Sequence, residues 1–179
     1  MTMQYVQQSL SPGEEIVCVG HFHWMYTLHA ISCIVWGLIG AILVLTVAMW
    51  FGLNVSQTVD PEAGLFQKVI QLHPGIRLGA FFVFIMGVLK FAHMMVVRAS
   101  TEVAVTSSRI IYKRGLVARY VGELSIDRIE GVNVLQTIMG RIFGYGRIMV
   151  RGMGVGEVVL PPLANPIEFR KAIEKARTV

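Results

Sequence analysis

Several residues in this chain have the types and spacing that chemistry could use. His21, His23 and His29 are metal-ligand types, and an i, i+2 pair on a strand puts both imidazoles on one face. No third ligand is close in sequence, and Cys18 and Cys33 form no CxxC pair, so a metal lacks both ligand count and geometry. Gly152, Gly154 and Gly156 suggest a phosphate-cradling loop, but that loop needs a strand before it and a helix after it. Strand-like sequence lies on both sides here, which predicts a hairpin turn. No serine is paired with a credible base. Asp127 and Glu130 flank Arg128 in a connection and form no carboxylate pair in a cleft. The sequence therefore offers no catalytic residue, no metal ligand set and no cofactor site, and the expected activity is binding.

The isolated charges say more. Lys90 and His93 lie three apart inside an apolar run and share one helix face. Ionisable groups at membrane depth mark ion paths or buried polar contacts, whereas a lysine near a span end also snorkels to the headgroups with its stem in lipid. Both readings stand. Arg147 and Arg151 share a strand face opposite Ile148 and Val150. With Lys113 and Arg114 they form a basic set suited to an anionic membrane surface or an acidic partner. A solvated face that aids solubility is the plain alternative.

Two kinds of element must position these residues, and the composition divides between them at Arg98. The 179 residues are 54% hydrophobic with a mean hydropathy of +0.61, high for a soluble domain. Two apolar runs, 28–52 and 78–97, account for the excess. At about 1.5 Å rise per residue each can cross a bilayer core of about 30 Å, and lipid demands closed backbone hydrogen bonding. Both runs are predicted to be transmembrane helices forming a hairpin. Trp24, Tyr26 and Trp50 sit at the ends of the first run as interfacial anchors. Small residues at Gly37, Gly40, Ala41, Gly79 and Gly87 permit close helix packing. Residues 1–27 form an N-terminal segment in which Glu14–His23 could be extended. Residues 53–77 form the connection, with a short surface helix over Ala63–Leu72.

From Arg98 onward the chain holds 13 basic and 7 acidic side chains, whereas the connection up to residue 75 holds one basic residue, Lys68. The positive-inside rule then places both termini in the cytoplasm. The absence of lysine and arginine before residue 28 argues against a cleaved signal peptide.

Residues 98–179 read as strands closed by a helix. Glu102–Thr106, Arg109–Arg114, Val117–Leu124, Ile129–Leu135, Arg147–Arg151 and Glu157–Leu160 have strand character, and Thr137–Phe143 a helical turn. Asn165 is predicted to cap a C-terminal helix, with Pro166 at its first position and Glu168 three past the cap. Phe169, Ala172, Ile173 and Ala176 form its apolar stripe.

The order of these features resembles the bacterial pleckstrin-homology (PH) domain of the YdbS-like membrane proteins. The marks are Thr106 and Arg109 around a tight turn, Gly115, and the run from Leu124 to Ile129. Gly140, Gly144, Tyr145 and Gly146 follow, then Pro-Pro-Leu-x-Asn-Pro before the last helix. The resemblance implies a membrane protein of α + β class. A two-helix transmembrane hairpin would carry a small, partly open barrel of seven strands, capped by the C-terminal helix. It implies no reaction. The long basic loop that eukaryotic PH domains use for phosphoinositides is reduced here to Ser107-Ser108, so no ligand contact carries over. The expected protein is a non-catalytic binding or scaffolding module at the cytoplasmic face of a bacterial inner membrane. Expected partners are the bilayer, anionic lipid headgroups, other membrane proteins and itself, without nucleic acid. The competing expectation is an accessory subunit of a transport or channel complex, with Lys90 and His93 in an inter-subunit path.

Overall fold

Both apolar runs fold as continuous helices: the first starts four residues before its predicted bound and ends at Trp50, two short of it, and the second extends past both predicted bounds. The computed structural model describes residues 4–53, 64–115, 120–154 and 156–177. In chain order it contains α1 (Gln4–Ser9), β1 (Ile16–Gly20), α2 (Trp24–Trp50), α3 (Leu65–Gln71) and α4 (Pro74–Ser100). These are followed by β2 (Glu102–Thr106), β3 (Arg109–Arg114), β4 (Tyr120–Ser125), a 3₁₀ turn (Ile126–Arg128) and β5 (Ile129–Leu135). The chain ends in α5 (Ile138–Phe143), β6 (Tyr145–Gly152), β7 (Gly156–Val159), β8 (Leu163–Ala164) and α6 (Pro166–Arg177). Two compact units result. One holds residues 28–95, and the other joins the residues up to Thr27 to those from Val96 onward.

In the first unit α2 and α4 are 27 residues each, long and apolar enough to cross a membrane. Small residues bring them together. A Cβ on Gly87 would lie 2.7 Å from the Cys33 carbonyl oxygen and 3.0 Å from Gly37 Cα. Gly40 seats against Val83, and Ala41 is buried. Backbones approach this closely only where side chains are absent or small. Gly79 is the exception to the expected set, since nothing lies within 4 Å of its Cβ position. Between the helices, α3 falls where a short surface helix is expected, and Pro74 takes the first position of α4.

The second unit is built from two antiparallel sheets. One has the order β1-β2-β3-β4; the other is β5-β6-β7, with β8 pairing to β6. This corrects the seven-stranded barrel that the resemblance implies: among the described residues there are eight strands in two open sheets. The first strand also lies ahead of both apolar helices rather than after Arg98. Its pairs include Val19 with Ala104 and Gly20 with Val103. Strands β2, β3 and β5 keep the bounds their patterns predict. The fourth strand begins at Tyr120; the expected stretch 117–119 lies outside the described residues. The hairpin reading of the glycine run holds, because β6 and β7 pair antiparallel on either side of it.

One core joins the two sheets to α6. Val103, Val105, Ile110, Leu124, Ile129, Ile148 and Val150 meet Phe169, Ile173 and Ala176 there. Helix α6 packs on β1, β2, β5 and β6, so its apolar stripe is the plug between the sheets. Ala172 is only half-buried. Asn165 takes the expected N-cap position directly before Pro166, but with an unusual backbone conformation. Asn165 has a φ of 51°, outside the extended backbone from which a capping side chain works. Asparagine tolerates this left-handed conformation better than most residues. The Asn165 carbonyl accepts from the Phe169 N–H at 3.2 Å, and its own N–H donates to Gly144 at 3.0 Å.

A second, smaller core explains why β2 is buried on both faces. Val6 of α1 is fully buried with Ala104 and Ile111, and Tyr5 and Ile16 pack against them. The polar N-terminal residues thus supply a helix that covers the outer face of the first sheet.

Candidate functional site

Strand β3 sorts its basic residues by the two-residue period. Ile110 faces the main core and Ile111 faces α1. Lys113, on the Ile111 side, is held: its Nζ lies 3.0 Å from Glu102 Oε1 and 5.1 Å from the centre of the Tyr5 ring. Arg114 falls on the other face. There it lines a cleft of about 240 Å³ together with Arg147 of β6. Phe22, Tyr26, Tyr112, Pro161 and Pro162 form much of the wall, and Thr101 adds a hydroxyl. Arg114 and Arg147 are both exposed, and neither has a carboxylate partner among the described residues. Two uncompensated guanidiniums beside aromatic and proline walls suit an anionic group with an apolar portion.

Arg151 is placed elsewhere. It sits opposite Glu157 in the β6–β7 hairpin and pairs with that carboxylate on the exposed surface. Of the four basic residues singled out from sequence, the structure brings Arg114 and Arg147 together and gives Lys113 and Arg151 acidic partners. Lys90 and His93 lie on the exposed surface of α4. Trp24 and Trp50 are exposed at the two ends of α2, while Tyr26 is half-buried at the cleft. The histidines do not act as a set: His21 and His29 are exposed, whereas His23 is buried. The His23 Nδ1 accepts from the Met25 N–H at 3.2 Å, and its ring lies 5.3 Å from that of Tyr145.

A polar cluster that sequence patterns do not reveal ties the N-terminal segment to the β2–β3 turn. Glu14 Oε1 accepts from Thr106 Oγ1 at 2.5 Å, Ser108 Oγ at 2.8 Å and Arg109 Nε at 3.0 Å. Its Oε2 accepts from Arg109 Nη2 at 2.7 Å and from the Ser11 N–H at 2.9 Å. Arg109 also donates to Glu123 at 2.8 Å and to the Ser9 carbonyl at 2.9 Å. The Glu14 side chain is 3% exposed. The Arg109 guanidinium holds its carboxyl well below the usual carboxylate range. Thr106 and Arg109, two of the marks of family resemblance, thus fasten the first strand to the sheet. The signal in sequence is their spacing around a tight turn; Glu14 lies 95 residues from Arg109.

Two small sheets around a C-terminal helix, with a cleft that gathers arginines, define a binding module. Residues 15–177 match the family model of the bacterial PH domain, and the chain belongs to that family. The match begins one residue before β1, so the early strand and the later strands belong to one family unit. PH domains are generally non-catalytic, and no enzymatic family is indicated. No curated protein and no solved structure matches the chain.

Proposed function

We propose that this chain is a two-span membrane protein of the YdbS-like kind, whose PH unit works at the cytoplasmic face of the inner membrane. It acts as a non-catalytic binding and scaffolding module, and its cleft takes the headgroup of an anionic lipid. The observation that carries this reading is the pairing of Arg114 and Arg147 in one cleft, without carboxylate partners among the described residues. The cleft wall also includes Tyr26 and Val97, from the ends of the two apolar helices nearest the PH unit. If those helices span a bilayer, its headgroups lie at that level.

The cleft is tested with the full chain in neutral detergent. Retained phosphatidylglycerol and phosphatidylcholine are compared by native mass spectrometry. Phosphatidylglycerol should be preferred, and added salt should weaken the preference. At about 1 kcal/mol per arginine, the Arg114→Ala, Arg147→Ala double variant should lose about tenfold or more of that preference. Equal retention of the two lipids by the unmodified chain overturns the headgroup reading.

Orientation is tested separately. A reporter active only outside the cytoplasm should be silent when fused to the C-terminus and active when inserted beside Gly64. The reverse pattern overturns the cytoplasmic placement.

A further inference from the structure

Helix α5 is amphipathic the wrong way round for a soluble domain. Its buried residue is Gly140, while Ile138 and Ile142 are 81% and 68% exposed and Met139 and Phe143 are exposed beside them. The packing dictates this orientation. A Cβ at Gly140 would lie 2.6 Å from the Tyr145 carbonyl oxygen, so only glycine fits the face that meets β6. The ends are fixed as well. The Thr137 side chain accepts from the Gly140 N–H at 3.1 Å, and Gly144 closes the helix with a left-handed φ of 74°. Gln136 Nε2 donates to the Tyr145 carbonyl at 3.1 Å. A short, well-braced helix therefore holds four large apolar side chains away from the core. Contiguous exposed apolar residues of this kind mark a surface that meets another apolar phase.

We infer that α5 dips into the interfacial layer of the membrane and is a second, non-spanning contact between the PH unit and the bilayer. The inference rests on the reading that α2 and α4 span that bilayer. The reason for choosing lipid as the occupant is continuity. Trp24, the first residue of α2, meets Phe143 edge-on with ring centroids 5.9 Å apart. Trp24 is itself exposed and belongs to the same patch. Tryptophan at a span end sits at the headgroup level, which puts Phe143 at the same depth. Arg141, exposed on the same helix, suits the anionic headgroups there. The contact would fix the tilt of the PH unit and set its cleft against the lipid surface.

The test uses full-length protein in lipid nanodiscs, with Cys18 and Cys33 replaced by serine. Single nitroxide labels are placed at Ile138→Cys, Ile142→Cys, Glu130→Cys and Leu43→Cys. Collision with oxygen, which partitions into lipid, is compared with collision with a water-soluble nickel complex. All four positions are exposed, so the labels do not disturb the core. Positions 138 and 142 should show nickel accessibility several-fold lower than position 130, with oxygen accessibility raised, as at position 43. If positions 138 and 142 match position 130 while position 43 is in lipid, the interfacial contact is wrong and the spanning reading survives. If position 43 is also open to nickel, the spanning reading fails and takes this inference with it. If positions 138 and 142 are shielded from both relaxants, the patch is covered by protein, and the lipid assignment is overturned.

Discussion

Phe169→Ala is expected to destabilise the PH unit by about 3–5 kcal/mol, the usual cost of emptying a fully buried phenylalanine site. Phe169 is 2% exposed and lies on the stripe of α6 that both sheets share. Its neighbours include Leu163 and the backbone of β1: a Cβ on Gly20 would lie 3.1 Å from Phe169 Cε2 and 3.1 Å from Leu163 Cδ1. These walls belong to different strands and cannot collapse together into the void. A loss of this size is a large part of the stability of a small domain. Pulse proteolysis of the full chain in detergent should show the PH unit cleaved while the apolar helices persist. An unchanged midpoint for cleavage of the PH unit would mean that α6 does not plug the core. Ala172→Ser, at the half-buried position of the same helix, should change little.

Glu14→Gln should cost about 1–2 kcal/mol at neutral pH, because the Arg109 guanidinium, 22% exposed, loses its charged hydrogen-bond partner and keeps only Glu123 as an ion pair among the described residues. The effect should depend on pH in a defined direction. The Glu14 carboxyl titrates below its ordinary value of 4.5 in the folded chain, so the pair stabilises fully above about that pH. Its contribution fades as the pH falls toward the folded value. The gap between the two proteins should therefore close in acid. Hydrogen exchange across β1 reads this directly, since Glu14 holds the segment leading into that strand. Protection of β1 in the unmodified chain should drop in acid toward that of the variant. Identical protection at neutral pH would show that the cluster contributes nothing.

The parts of this fold that were legible in the sequence are those governed by local period. Strand β3 is a β-branched and aromatic run between turn residues, β5 has strand composition, and α6 carries a stripe at helical spacing, so their bounds follow from local pattern. What was not legible depends on partners far along the chain. Val6 is a single valine in a polar stretch, and its burial comes from Ala104 and Ile111, residues that arrive only when β2 and β3 form. That cover hides the Ala104 face of β2, while Val103 and Val105 lie in the main core on the other face. Asn165 has the composition of a capping residue, but it is used for its tolerance of a left-handed backbone. The cleft was half legible: Arg114 and Arg147 were visible as basic residues on strands. Only the approach of the two sheets separates them from Lys113 and Arg151, which meet glutamates.

The pairing of β1 with β2 carries a rule of parity. Gly20 and Val103 are ladder partners, and both apolar helices lie between them in the chain. Two strands can hydrogen-bond only in the same compartment, so the intervening chain crosses any bilayer an even number of times, whatever its loop charges favour. The pairing also imposes a delay. At about 5–20 residues per second, roughly 80 residues of synthesis separate the two strands, so β1 waits several seconds for its partner. If the helices span a bilayer, a chain with only one of them inserted leaves β1 and β2 on opposite sides, with Glu14 parted from Arg109. If α2 and α4 span a bilayer, the sheet can close only on chains in which both helices cross or neither does.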